Sequence, residues 1–169
     1  MRLIDPILME FDRECATTKK LLERAPADKY AWKPHAKSMS LGQLAGHIAG
    51  LPHWVGGSLL PGEFDLAKAG PDAGPKEPAS REALLKTFEE SVAGAKAAMA
   101  QLDDARAMGT WTLRKGPMVI MEMPRLAFVR TILMNHGIHH RGQLSVYLRL
   151  LDVPVPGIYG PSADENPFG

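Results

Sequence analysis

His136 and His140 stand four residues apart within Asn135-His136-Gly137-Ile138-His139-His140-Arg141-Gly142-Gln143. At 3.6 residues per helical turn, that spacing stacks both imidazoles on one face, where they can share a metal ion. His47, far upstream in another segment with helical patterning, offers a third imidazole. Three histidines and one open position make a site that holds water or substrate at the fourth. Three neutral ligands leave the two charges of a divalent cation uncompensated, so an anionic fourth ligand, hydroxide or thiolate, is favoured. The competing reading is that each imidazole is hydrogen-bonded to a neighbour or to buried water. Burying one without a partner costs roughly 1–3 kcal/mol, and two on adjacent turns double the problem.

The elements that must position these residues can be read from apolar periodicity. Ile4, Leu8, Phe11, Cys15, Thr18 and Leu22 form the stripe of a first helix. Cys15 on that stripe reads as a small buried hydrophobe. Residues 25–39, with Pro26 and Pro34, are a connector. Ser40 and Gln43 form a capping box that opens a second helix carrying Leu44, His47, Ile48, Leu51, Trp54 and Val55. Pro52 predicts a kink or an early stop near 51. A Gly/Pro/Ala-rich crossover covers 61–78, and Ser80 then caps a third helix with Leu84, Phe88, Val92, Ala95, Met99 and Leu102 on its stripe. Residues 110–121 suggest a short hairpin around Lys115-Gly116-Pro117. Pro124 suits a first helical position and starts a fourth helix of some 28 residues, about 40 Å long. Its stripe, Leu126, Val129, Leu133, His136, His140, Leu144, Tyr147 and Leu151, contains both histidines. The 152–169 tail is too rich in Pro and Gly to be helical. Four amphipathic helices with long crossovers predict an all-α four-helix bundle, one domain over 1–169.

His139 falls off the stripe, His53 lies away from the face of His47, and His35 sits in the proline-rich connector; all three read as surface or rim residues. A His-Glu-x-x-His helix, a Gly-rich phosphate loop and a nucleophile elbow are absent. The nine methionines are spread over several segments, as core filler would be.

Charge is nearly balanced, with 20 basic and 19 acidic side chains, which argues against nucleic acid or an anionic membrane as partner. One cysteine rules out an intramolecular disulfide and fits a reducing compartment. No apolar run is long enough for a membrane span, and Asp5 and Glu10 interrupt any signal peptide. The expected location is cytoplasmic.

The stretch from Asn135 to Leu144, continuing through Tyr147-Leu148-Arg149 and Val155-Pro156-Gly157-Ile158-Tyr159-Gly160-Pro161-Ser162, resembles the C-terminal signature of the DinB-like metal-binding four-helix bundles. Ser40-Leu41-Gly42-Gln43-Leu44-Ala45-Gly46-His47-Ile48-Ala49 resembles that family's second-helix motif. The resemblance spans nearly the whole chain. It implies an up-up-down-down bundle, frequent homodimers, and a divalent metal held by His47, His136 and His140, one ion per chain. Zinc or nickel is expected first, with iron or manganese as further options, since imidazole suits several metals. The wider superfamily includes transferases and isomerases that use bacillithiol, mycothiol or glutathione.

The expected function is thus a metal-dependent transferase in which a low-molecular-weight thiol, held as thiolate, attacks an electrophile. Trp54 would line the pocket, and Gln143 or Arg141 would orient substrate or a ligand. The alternatives are a metal-assisted hydrolase, with Glu10 or Glu14 as carboxylates that the fold would have to bring close, and a non-catalytic metal-binding stress-response protein.

Overall fold

In a computed structural model that describes residues 1–70 and 74–166, the chain is predominantly helical and carries a small three-stranded sheet. Helix α1 spans Asp5–Arg24. Pro6 lies in its first turn, where a missing N–H leaves no bond unmade. Asp5 in the first turn and Arg24 in the last complement the helix dipole. Helix α2 spans Leu41–Leu59, and its capping box is complete: Gln43 N donates to Ser40 Oγ (3.1 Å) and Ser40 N to Gln43 Oε1 (2.9 Å). Ser40→Ala should therefore lower stability by about 1 kcal/mol, read as a shifted urea midpoint with an unchanged slope.

The expected stop near residue 51 does not occur. Pro52 sits inside α2, and the helix continues to Leu59. Proline removes one helical hydrogen bond, but Leu51, Val55 and Leu59 are buried in the core on both sides of it. Their packing outweighs the lost bond.

Helix α3 spans Arg81–Ala100, capped by Ser80 Oγ accepting from Ala83 N at 3.1 Å. It packs against α1 and α2. A short α4, Asp104–Met108, follows; Asp103 caps it by accepting from Arg106 N at 2.7 Å. The hairpin expected near 110–121 forms as β2 (Thr110–Lys115) and β3 (Met118–Pro124), antiparallel, with Gly116 at φ 57° in the turn. A third strand, β1 (Glu63–Asp65), lies inside the 61–78 crossover and pairs parallel with β2. Asp65 fixes it in place by accepting from Ala67 N (3.0 Å) and Gly116 N (2.9 Å). The expected all-α class with a short hairpin thus becomes a mostly helical fold with a small three-stranded sheet.

Pro124 ends β3 and precedes the last helix instead of opening it. That helix runs as α5 (Arg125–Phe128), a π-helical stretch (Val129–Asn135) and α6 (His136–Leu150). Helix α6 packs on α1 and α2. The 152–166 tail is non-helical, as expected, and is tied back by Arg24–Glu165 (2.6 Å) and Arg149–Asp164. No helix among the described residues is long and apolar enough to cross a membrane.

Two apolar clusters form the core. In one, Trp111 stacks on Phe128 (centroids 3.7 Å, 11°), donates from Nε1 to Ser58 O (3.1 Å), and packs with Val55, Leu59, Met99 and Leu133. The other joins Leu21, Leu44, Leu84, Phe88, Leu144 and Leu148. His47 falls between Leu44 of one cluster and Leu51 of the other; His136 and His140 fall between Leu133 and Leu144. The histidines therefore occupy the seam between the two halves of the core.

Candidate metal centre

The structure brings His47 of α2 against His136 and His140 of α6. His47 Nε2 is 3.3 Å from His136 Nε2, and His136 Nε2 is 2.6 Å from His140 Nε2. One ring nitrogen from each lies within 4.8 Å of the others, and together they can hold a metal ion. His140 Nδ1 stands 2.7 Å from Gln143 Oε1. An amide oxygen only accepts, so His140 carries its proton on Nδ1 and turns a bare lone pair inward from Nε2.

That tautomer decides whether the cluster can satisfy itself. If His136 Nε2 carries a proton, it donates to His140 and cannot accept from His47. If it is bare, it accepts from His47 and faces His140 lone pair to lone pair. Neutral rings make only one of the two contacts a hydrogen bond, and a cation among them resolves both. Ligands at 2.0–2.1 Å from a tetrahedral ion stand about 3.3 Å apart. The His47–His136 separation already matches, and His136–His140 would open by about 0.7 Å. The donor set fits a divalent metal.

A proton is the poorer glue. Burial pushes the His47 imidazole down to about 4, helped by repulsion from His140 and His136. Burial, then His140 and His139, lowers His136. Burial lowers His140 too, against the opposing pull of the Gln143 bond. The unfolded value is near 6.5, so between about 6.5 and 4 the unfolded chain binds protons that the folded chain refuses. Stability of the metal-free protein should accordingly fall as pH drops from about 6.5 towards 4. Urea unfolding along a pH series checks this; a flat profile over that window contradicts it.

His47 and His136 open onto a cavity of about 680 Å³, while buried His140 lies behind them. Trp54 lines this cavity, as expected, with Gly50, Leu51, Phe64, Leu66 and Leu84. The 61–78 crossover shapes its mouth through Phe64, Leu66, Ala69 and 74–78; the described residues of the tail, 152–166, do not line it. Exposed His53 is on the rim, while exposed His35 and His139 stay out of both the cluster and the cavity wall.

Other expected residues sort differently. Gln143 orients a candidate ligand, His140. Arg141 points elsewhere: it is 2% exposed and pairs with Glu14 at 2.5 Å. It also donates to Glu14 O (3.1 Å) and Thr18 Oγ1 (3.3 Å), and contacts the Tyr159 hydroxyl. Glu10 pairs with Arg130, so neither expected carboxylate lines the cavity. Cys15 is half-buried against both clusters, its thiol pushed up to about 12 by burial. Gly50, Phe64 and Leu66 were not legible as cavity residues, because the strand that aims Phe64 is three residues long.

Comparison with known proteins agrees with this architecture. The DinB family model matches residues 4–166. The uncharacterized protein YrdA of Bacillus subtilis (strain 168) is 26% identical over 163 residues, covering 96% of this chain and 91% of that protein. A DinB-like protein from Bacillus cereus ATCC 10987 superposes with a TM-score of 0.70 at 20% identity, over 90% of this chain and 95% of its own. The DinB-like protein YjoA from Bacillus subtilis gives 0.67 at 23% identity, over 90% and 96%. With the fold shared and the family model spanning all but the ends, the chain belongs to the DinB family.

Proposed function

We propose that the chain is a metal-dependent transferase that activates a low-molecular-weight thiol and delivers it to an electrophile. The observation that carries this reading is the convergence of three Nε2 atoms at the wall of a large, mostly apolar cavity. A bound divalent cation, zinc or nickel by preference, would supply the positive charge that keeps a thiol ionised at neutral pH. His47, His136 and His140 would hold it, with Gln143 fixing the tautomer of His140. The apolar walls keep water away from the thiolate sulfur. In the transfer, that sulfur forms a bond to the electrophilic carbon, and the leaving group departs with its bonding pair.

The reading takes residues 1–169 as one domain and the four long helices as an up-up-down-down bundle. Its support is the packing of α3 and of α6 each on both α1 and α2, which closes a ring of four. It also takes the chain as a homodimer. Hydrolysis at the same site has less support, because Glu10 and Glu14 are spent on Arg130 and Arg141. Glu77, the carboxylate on the cavity wall, receives a hydrogen bond from Ser40 Oγ at 3.3 Å. A purely structural metal would call for a closed set of four protein ligands, whereas three histidines beside a cavity favour a working site.

Elemental analysis of untagged protein, beside a variant with all three histidines changed to alanine, is the test. About one metal per chain in the native protein and none in a folded variant is expected, followed by turnover in a thiol-by-electrophile screen. Native protein that stays metal-free after reconstitution with zinc, nickel and manganese would end the enzyme reading.

A further inference from the structure

The cavity beside the histidines has a chemistry of its own. Its volume, about 680 Å³, suits a small organic molecule and far exceeds what a water or a metal needs. The inner wall is apolar: Leu51, Trp54, Phe64, Leu66 and Leu84, with Gly50 and Gly46 exposing helix backbone. Among the described residues charge is confined to the mouth, where Lys76 and Glu77 are both exposed and of opposite sign. Among the described residues no Lys, Arg, Asp or Glu side chain lines the inner wall to compensate a charged guest.

Trp54 adds a shape preference. It is half-buried and meets Phe64, Trp111 and Phe128 edge to face, at 84°, 88° and 78°. Trp111 and Phe128 stack on each other, but Trp54 has no stacked partner among the described residues. A planar guest can take that place, since offset-stacked rings attract beyond simple burial. Gly50 keeps the space free: a Cβ there would meet nothing within 4 Å, whereas at Gly46 it would stand 2.1 Å from the Lys76 carbonyl oxygen. The 74–78 segment thus lies across α2 at Gly46 and leaves the next turn open.

We propose that this cavity is the subsite for an uncharged, planar aromatic electrophile, bound across Trp54 with its reactive edge toward His47 and His136. The proposal rests on the thiol-transfer reading for the guest's role, while the cavity's preference for such a guest can be tested without it.

The probe is N-phenyl-1-naphthylamine, an uncharged dye that brightens in apolar surroundings, titrated into metal-free and metal-loaded full-length protein. Gly50→Leu projects a side chain into the cavity from a position where a Cβ meets nothing within 4 Å, and leucine improves helix propensity over glycine, so misfolding is not the expected confounder. Gly57→Leu makes the same change on the same helix, at another position with open space, outside the cavity. We expect one dye per native chain, binding weakened at least tenfold by Gly50→Leu and unchanged by Gly57→Leu. Its anionic sulfonate analogue, 1-anilinonaphthalene-8-sulfonate, should bind the metal-free protein at least tenfold more weakly. Absence of dye binding, equal binding in the Gly50 variant, or equal affinity for the sulfonate would overturn the proposal. Metal analysis of the same samples separates the two claims. Dye binding that Gly50→Leu blocks in a protein unable to take up metal keeps the apolar subsite and sinks the transferase. Metal-loaded protein that ignores the dye does the reverse.

Discussion

Changing His140 to alanine should lower affinity for the divalent ion by roughly two to four powers of ten, and equimolar zinc at micromolar concentration would no longer be retained. A complete structural zinc site is worth about 10–16 kcal/mol, so one ligand in three or four carries roughly 3–5. His140 is the most buried of the three and the one whose tautomer is fixed from behind. Gln143→Leu removes that fixing bond while leaving the imidazole, and should cost about tenfold to a hundredfold. His139→Ala should change affinity little, since its exposed ring lies outside the cluster. Competition titration against a chromogenic chelator ranks all three. Equal loss from His139→Ala and His140→Ala would show that the ion is held somewhere else.

Glu14→Ala should destabilise the fold by about 3–5 kcal/mol, more than any surface pair here. The reason lies in its partner. Arg141 is 2% exposed, and Glu14 supplies its only carboxylate, at 2.5 Å, among the described residues. Removing Glu14 leaves a guanidinium that cannot shed its proton facing a hydroxyl, a carbonyl oxygen and the ring of Tyr159. Exposed pairs such as Lys19–Glu89 (2.7 Å) should change stability little when broken, being screened by solvent. The double variant Glu14→Ala with Arg141→Met should recover much of the loss, because the stranded charge is gone. A chemical-denaturation cycle over the four proteins measures this. If Glu14→Ala costs no more than Lys19→Ala, water reaches Arg141 and the pair is not buried in solution.

The helices and the three histidines were legible because they obey one rule, apolar or ligating side chains every three to four residues. Ser40 and Ser80 announced two helix starts by chemistry alone, and both cap as read. What escaped notice breaks that rule or is too short to display it. Strand β1 has three residues, and its place is set by Asp65 reaching the Gly116 turn 51 residues away. Pro52 misled because proline's local cost is visible in sequence, while the packing that outweighs it is not. Phe128 and Met134, both buried, were absent from the expected stripe of the last helix. Each sits five residues from a buried partner, Phe128 with Leu133 and Val129 with Met134, a spacing that a search at 3.6 residues passes over. Arg141 was misplaced for a related reason: the residue after a ligand points about 100° away from it, here into α1.

The stretch Val129–Asn135 closes its backbone hydrogen bonds one residue further along than the α-helix on either side, and so takes up one extra residue. Every residue turns an α-helix by about 100°. Rewinding the seven residues as ordinary α-helix, with none removed, would swing His136 and His140 by about 100° relative to the sheet that anchors the helix start. The histidines would keep their spacing and lose their aim. In this chain the heading of the ligand pair is a matter of rotational phase, set by a count of residues upstream. How the two turns just before His136 are wound is thus enough to make or unmake the site.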